Sequence, residues 1–237
     1  MSIKISIVIP TYEAKGKAVT LLDELLDSIH SQDYKNIEVV ISDHSKDDVV
    51  KDYLYSWRDG LNIVYLRNER GHGNSSINMN EGIKIASGDF IKIMHMDDMF
   101  CDNSALSKMV EYILSDNSKK WGAFGFNHNY EKENSIRREI VPSEYRNEIM
   151  SESALIGCPS VSFFINDKTN FFDENMIIVN DFDMHYSLQK KYGKPFIIPE
   201  ICVTIRIHDD QVTSSLPTYQ HKEIEEMNYF KTKNNII

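Results

Sequence analysis

Asp97 and Asp98 stand side by side directly after the apolar run Phe90-Ile91-Lys92-Ile93-Met94. Adjacent carboxylates repel unless a proton or a cation compensates them, and hard oxygen ligands favour Mg²⁺ or Mn²⁺. Such an ion can bridge a diphosphate and stabilise the charge that develops as it leaves. An acidic pair at a strand end is equally a solvated turn or a helix start, so in isolation the two readings are level. A further acid, Asp43, follows the strand-like run Ile37-Glu38-Val39-Val40-Ile41 within Ser42-Asp43-His44-Ser45. A carboxylate there can accept the imide N–H of uracil or thymine, or it can hold the turn and cap the next helix.

These groups need a scaffold that gathers strand ends. Residues 3–9 are apolar, rich in β-branched side chains and stop at Pro10, as a buried parallel strand would. Leu21, Leu22, Leu25, Leu26 and Ile29 predict a helix over 18–30. Strands are expected at 37–41, 63–66 and 90–94, and helices at 48–57 and 75–86, the last closed by Gly88. The alternation predicts a parallel, doubly wound α/β sheet, whose ligands bind beyond the carboxyl ends of strands. A helix at 105–114 and a strand at 123–126 follow. The pattern then becomes irregular, with Arg137, Arg138 and Arg146 in a polar stretch. Gly157-Cys158-Pro159-Ser160 reads as a buried turn before a strand at 161–165, and the polar tail from 219 as a terminal helix. With no repeat, low-complexity tract or linker, residues 1–237 read as a single domain.

Composition excludes several classes. The formal net charge of −10 argues against a broad nucleic-acid footprint, so an anionic substrate needs a local device. Three scattered cysteines without a Cys-x-x-Cys pair fit reduced thiols, and Cys158 has no sequence neighbour to activate it. No signal-peptide pattern or stretch of about 18 uninterrupted apolar residues is present, so neither a leader nor a membrane span is expected. Gly71-His72-Gly73 is an incomplete dinucleotide fingerprint after the wrong strand, and reads instead as a loop over a nucleotide. No G-x-S-x-G elbow supports a serine hydrolase.

Four pieces in order, Ser6-Ile7-Val8-Ile9-Pro10-Thr11-Tyr12, Ser42-Asp43-His44-Ser45, Asn80-Glu81-Gly82 with Ala86 and Gly88, and Asp97-Asp98, resemble the family 2 glycosyltransferases of the GT-A fold. The resemblance covers residues 3–100 well and the chain to about 213 weakly. It implies a Rossmann-like, mostly parallel α/β sheet flanked by helices: a nucleotide-sugar-binding half over 1–100, and a less regular acceptor-binding half and tail over 101–237. It implies a metal-dependent, inverting transfer of a sugar from a nucleotide diphosphate to a hydroxyl acceptor, in surface polysaccharide or glycoconjugate synthesis. The donor expected is a UDP-sugar, with thymidine diphosphate next; the acceptor is a saccharide or a lipid-linked saccharide.

The same resemblance sets the nucleotide against Pro10, Thr11, Tyr12, Asp43, Asn80 and Asp97. It gives Mn²⁺ or Mg²⁺ to Asp98 and to His208, the latter in the late element Thr204-Ile205-Arg206-Ile207-His208-Asp209-Asp210-Gln211. The segment Val179-Asn180-Asp181-Phe182-Asp183 matches the family's acidic motif at a helix start and makes Asp181 the general base, with Asp183 in reserve. An N-cap is the structural alternative for Asp181. The implied location is the cytoplasm, with peripheral attachment to the inner membrane face compatible with it. Glu13, His44, Met79 and His95 depart from the common family pattern. A nucleotidyltransferase and a non-catalytic sugar-nucleotide-binding subunit stay open as alternatives.

Overall fold

The computed structural model describes residues 2–57, 60–130, 135–142, 156–209, 211 and 219–236. Arg146 and Asp210 lie outside the described residues.

Strand β1 (Ile5–Thr11) is buried except for half-buried Pro10, as a central strand covered on both faces must be. It lies between β2 (Ile37–Asp43) and β4 (Phe90–Ile93), and β3 (Ile63–Arg67) pairs with β2. All three pairings are parallel, so the order β3-β2-β1-β4 gathers four carboxyl ends along one edge. Three helices make the crossovers: α1 (Ala18–His30), α2 (Val49–Ser56) and α3 (Ser75–Ile85). The expected stripe of α1 is buried.

Gly82 lets α3 lie on the sheet, since a Cβ there would come within 2.5 Å of Val8 Cγ1. Gly88 does not cap α3 as expected; the C-cap is Ala86. Its role is close approach: a Cβ would stand 2.7 Å from Ser6 N and 2.9 Å from Lys4 O. Beside it, buried Glu38 accepts from Lys4 Nζ (2.6 Å) and from the Ser6 and Ser87 hydroxyls. These bonds outweigh burial and bring the Glu38 carboxyl down to about 2, which fastens the edge opposite the site.

The remaining elements are β5 (Met99–Phe100), α4 (Ala105–Ser115), β6 (Trp121–Tyr130), β7 (Ser135–Ile140), β8 (Ser162–Ile165), α5 (Asn180–Tyr192), β9 (Phe196–Ile207) and α6 (Tyr219–Lys233). The sheet continues β4-β8-β6-β9-β5, with β7 on β6, and mixes parallel and antiparallel pairs. Strand β6 is longer than predicted, and β7 and β9 were not anticipated. Pro199-Glu200 interrupts the apolar pattern of β9, and the pairing with β6 absorbs the interruption by shifting register on both sides of Gly125. A Cβ at Gly125 would stand 2.7 Å from the carbonyl oxygens of Pro199 and Glu200. Because Met99 pairs with Thr204, β9 delivers residues 204–208 to Asp97 and Asp98. A separate small cluster, Met176, Val179, Phe182 and Phe230, joins the start of α5 to α6. Among the described residues no helix is long and apolar enough to cross a membrane.

Candidate active site

The loop from β4 to β5 carries His95, Asp97 and Asp98, and each offers a ligand atom within 4.8 Å of the others. The Ser160 hydroxyl accepts from His95 N (2.9 Å) and bonds Asp98. Arg206 N donates to Asp98 Oδ1 (3.1 Å), Arg206 Nε donates to the Asp97 carbonyl (3.1 Å), and its guanidinium pairs with Glu24 of α1. His208 Nε2 lies 3.0 Å from Asp97 Oδ2. Beneath them Lys92 is fully buried, with Nζ donating to the carbonyls of Ile93 (3.1 Å) and Ser160. Burial pulls its ammonium down to about 7, against the opposing pull of Cys158, Asp98 and Cys202.

The charges are unequally settled. Burial, and then the negative Asp97, push Asp98 well above the usual carboxylate range. Burial would raise Asp97 too, but the His208 hydrogen bond and the fields of His95 and His208 hold it below its ordinary value. Burial lowers His95 against the opposing field of Asp97, and its Nε2 is buried without a hydrogen-bond partner among the described residues. An imidazole nitrogen beside two carboxylates is a donor set that fits a divalent ion of borderline character. The orphaned Nε2 is the observation that carries this fit, because an unpartnered buried nitrogen is costly.

His208, expected at the metal, is bonded to Asp97, and His95, noted in the sequence only as a departure, lies with the two aspartates in a group that could hold a metal ion. Tyr12 is 39% exposed just after β1, and Pro10 within it is half-buried. Thr11 and Asp43 are 0% exposed. Asp43 accepts from Ser45 N (2.8 Å) and Tyr65 OH (2.8 Å), with Thr11 Oγ1 at 3.3 Å and Arg67 Nε at 3.7 Å. These bonds hold the turn after β2.

Asn80 of α3 is buried. Its amide donates to the Phe172 carbonyl (2.9 Å) and its carbonyl accepts from Phe172 N (2.8 Å), so it clamps α3 to the segment before α5. Asn80→Ala therefore should cost about 2–4 kcal/mol by leaving both Phe172 groups unpaired. Thermal melting with UDP binding on the same sample checks this; lost affinity at unchanged stability would return Asn80 to the nucleotide.

The loop Gly71-His72-Gly73 folds onto β2's end, with His72 Nδ1 3.0 Å from the His44 carbonyl. It borders a cleft of about 400 Å³ lined by Ser45, Lys46, Arg67, Glu69 and His72.

Asp181 lies in the first turn of α5. The N-cap is Val179, with no side-chain cap of its own, so the capping alternative for Asp181 does not hold. Its Oδ1 accepts from Phe182 N (2.7 Å), and burial raises the carboxyl to about 6. Asp183 is bound through both oxygens by Lys233 at 2.9 Å, which ties the reserve candidate to α6. Burial, then the charges of Asp98 and Asp181, hold the Cys158 thiol well above its ordinary value. Cys158 is thus inert as a nucleophile, and it lies in the field of both the acidic pair and Asp181. The turn around it is tight: Gly157 has φ +112°, and a Cβ there would come within 2.9 Å of Val161 Cγ2.

The glycosyl transferase family 2 model matches residues 6–172. A GalNAc(5)-diNAcBac-PP-undecaprenol beta-1,3-glucosyltransferase of Campylobacter jejuni is 29% identical over 164 residues, covering 68% of this chain. The chain spans 50% of that relative's length, and 66% of an uncharacterized glycosyltransferase of Rickettsia typhi. Among solved structures, S. aureus TarS in complex with UDP superposes with a TM-score of 0.66 at 18% identity, covering 97% of this chain and 72% of that one. A mannosyltransferase from Pyrobaculum calidifontis in complex with GDP-Man and Mn²⁺ gives 0.61 at 16% identity, covering 86% and 57%. These likenesses establish the expected GT-A fold. With a family match over residues 6–172 and an acidic cluster where that fold ends its fourth strand, the chain belongs to glycosyl transferase family 2.

Proposed function

We propose that this protein transfers a sugar from a UDP-sugar to a hydroxyl of a saccharide or lipid-linked saccharide, with inversion at the anomeric carbon. The observation that carries the reading is the His95, Asp97 and Asp98 cluster with its unpaired imidazole nitrogen, at the carboxyl end of β4 in this family's fold. His95, Asp97 and Asp98 would hold Mn²⁺ or Mg²⁺, which when bound supplies positive charge for the departing diphosphate. His208 and Arg206 fix the carboxylates from β9 and keep Asp97 ionised. Tyr12 and Pro10 supply the surface for the nucleotide. Asp181 takes the proton of the attacking hydroxyl as its oxygen bonds the anomeric carbon and the bond from that carbon to the diphosphate breaks. A carboxyl raised to about 6 is ionised at neutral pH yet more basic than an ordinary aspartate, which suits a general base.

In this reading residues 1–100 form the nucleotide-sugar half and 101–237 the acceptor half of one domain. The UDP held by TarS, the Mn²⁺ of the Pyrobaculum mannosyltransferase and the undecaprenol-linked acceptor in the Campylobacter enzyme's name all support it. In this reading a polyprenol-linked acceptor would be met from the cytoplasm, at the inner face of the membrane.

The test is a thermal-shift screen of UDP, TDP, GDP and ADP with and without Mn²⁺. A ligand at 100 times its Kd adds about 2.7 kcal/mol of apparent stability, or roughly 5–10 °C for a domain of this size. UDP with Mn²⁺ should give the largest rise. A larger shift with GDP or ADP, or one indifferent to Mn²⁺, would reject the donor assignment.

A further inference from the structure

The segment that presents Asp181 is held from outside the nucleotide half. Ile177, Ile178 and Val179 turn three successive backbone N–H groups to one point just before α5, and a buried carboxylate from α6 fills it. Both oxygens of Glu226 accept from Ile177 N (3.0 Å), and its Oε2 also accepts from Ile178 N (2.8 Å) and Val179 N (3.1 Å). Glu226 is 5% exposed. Concave sets of N–H groups at a helix start are anion sites, and here the anion belongs to the chain itself.

The rest of α6 is built around the same contact. Phe230 meets Phe182 and Tyr186 edge-on, at centroid distances of 5.0 and 5.1 Å. Lys233 joins Asp173 and Asp183, each at 2.9 Å. After burial, the negative charges of Glu223, Asp181 and Glu226 raise the phenol of Tyr219, the first residue of α6. From the other side α3 holds the same segment: Ser76 Oγ donates to the Met176 carbonyl (2.6 Å) and Asn180 Nδ2 donates to Ser76 Oγ (2.9 Å).

We infer that Glu226 is a positioning residue for Asp181: it satisfies the amides of residues 177–179, so that the Asp181 carboxylate keeps the Phe182 N–H as its partner and is not drawn onto those amides. The inference rests on the reading of Asp181 as the base. Its physical ground is competition. Three N–H groups, two half-buried and one buried, are costly to leave unpaired, and without Glu226 the next carboxylate along the chain is Asp181 itself. An aspartate in the first helical turn is well suited to that capture. A carboxylate drawn into capping would be misaimed for proton transfer, and more acidic.

Glu226→Gln keeps the side chain's size but replaces one acceptor oxygen with a donor. The measurement is the ¹³C NMR titration of the Asp181 carboxyl in the full chain, wild type against Glu226→Gln, with thermal melting on both. Its midpoint should fall by about one unit or more as backbone N–H groups bond it. UDP release from UDP-N-acetylglucosamine, with Mn²⁺ and an undecaprenyl-diphosphate-linked saccharide, should lose kcat while the Kd for UDP stays constant. An unchanged midpoint in folded Glu226→Gln would overturn the inference. If that variant does not fold, Glu226→Asp, which keeps the charge and withdraws it by one methylene, should show a smaller fall in the same direction, and no fall there overturns it equally. The titration tests positioning alone and Asp181→Asn tests the base alone, so the two failures are distinguishable.

Discussion

Asp181→Asn is expected to lower sugar transfer by about 10²–10⁴-fold, the usual worth of a positioned general base, with UDP affinity unchanged. Asparagine keeps the size and can still accept from Phe182 N, but it cannot take a proton. The nucleotide affinity should persist because the groups proposed to hold donor and metal, Tyr12, Pro10, His95, Asp97 and Asp98, lie on β1 and the loops after β1 and β4. The pH profile carries the same signature. The base works only when ionised, so the wild-type rate should rise with pH through about 6 and then level, and the variant should lose that limb.

Stability runs the opposite way. The folded carboxyl titrates at about 6, above its ordinary 3.8, so its contribution is fully present below 3.8 and lost as pH rises through 6. Removing the charge should therefore stabilise the protein at pH 7 by about 1–3 kcal/mol, and change little near pH 3.5. Steady-state kinetics from pH 5 to 8, with calorimetric melting at pH 3.5 and 7, checks both. A near-wild-type rate in the variant would take the base away from Asp181.

Asp98→Asn should abolish the dependence of UDP affinity on Mn²⁺, with a loss of at least the roughly 10–100-fold that even a supporting partner of a metal ligand costs. The variant should fold, since the carbonyl oxygen of the substituted amide can still accept from Arg206 N and a buried carboxylate crowded by Asp97 has been removed. His95→Ala should weaken the Mn²⁺ dependence as well, because its imidazole completes the donor set. Isothermal calorimetry of UDP binding, with Mn²⁺ and with chelator, separates the outcomes. Equal affinity in both media for the wild type would remove the metal from the site, and a loss in Asp98→Asn alone would leave His95 outside it.

Residues 3–100 were legible because their signals are local. Short apolar runs and the stripe Leu21, Leu22, Leu25, Leu26 and Ile29 place β1 to β4 and α1 without knowledge of any contact. The order of strands and helices then puts Asp97 and Asp98 at a carboxyl edge. What the amino-acid order by itself determined was therefore the parallel quartet, the acidic pair at its rim, and an acid in the first turn of α5. Tertiary structure decided which partners each polar group meets within the fold. Asn80 finds its partner Phe172 92 positions later, His208 finds Asp97 across 111, and Glu226 finds Val179 across 47. Strand β9, which brings His208 in, escaped notice because Pro199-Glu200 breaks its apolar pattern and only its pairing with β6 repairs it. Periodicity records which face of an element is buried, whereas the fate of a single polar group depends on which donor or acceptor the folded chain brings within about 3 Å of it, and only the tertiary structure sets that distance.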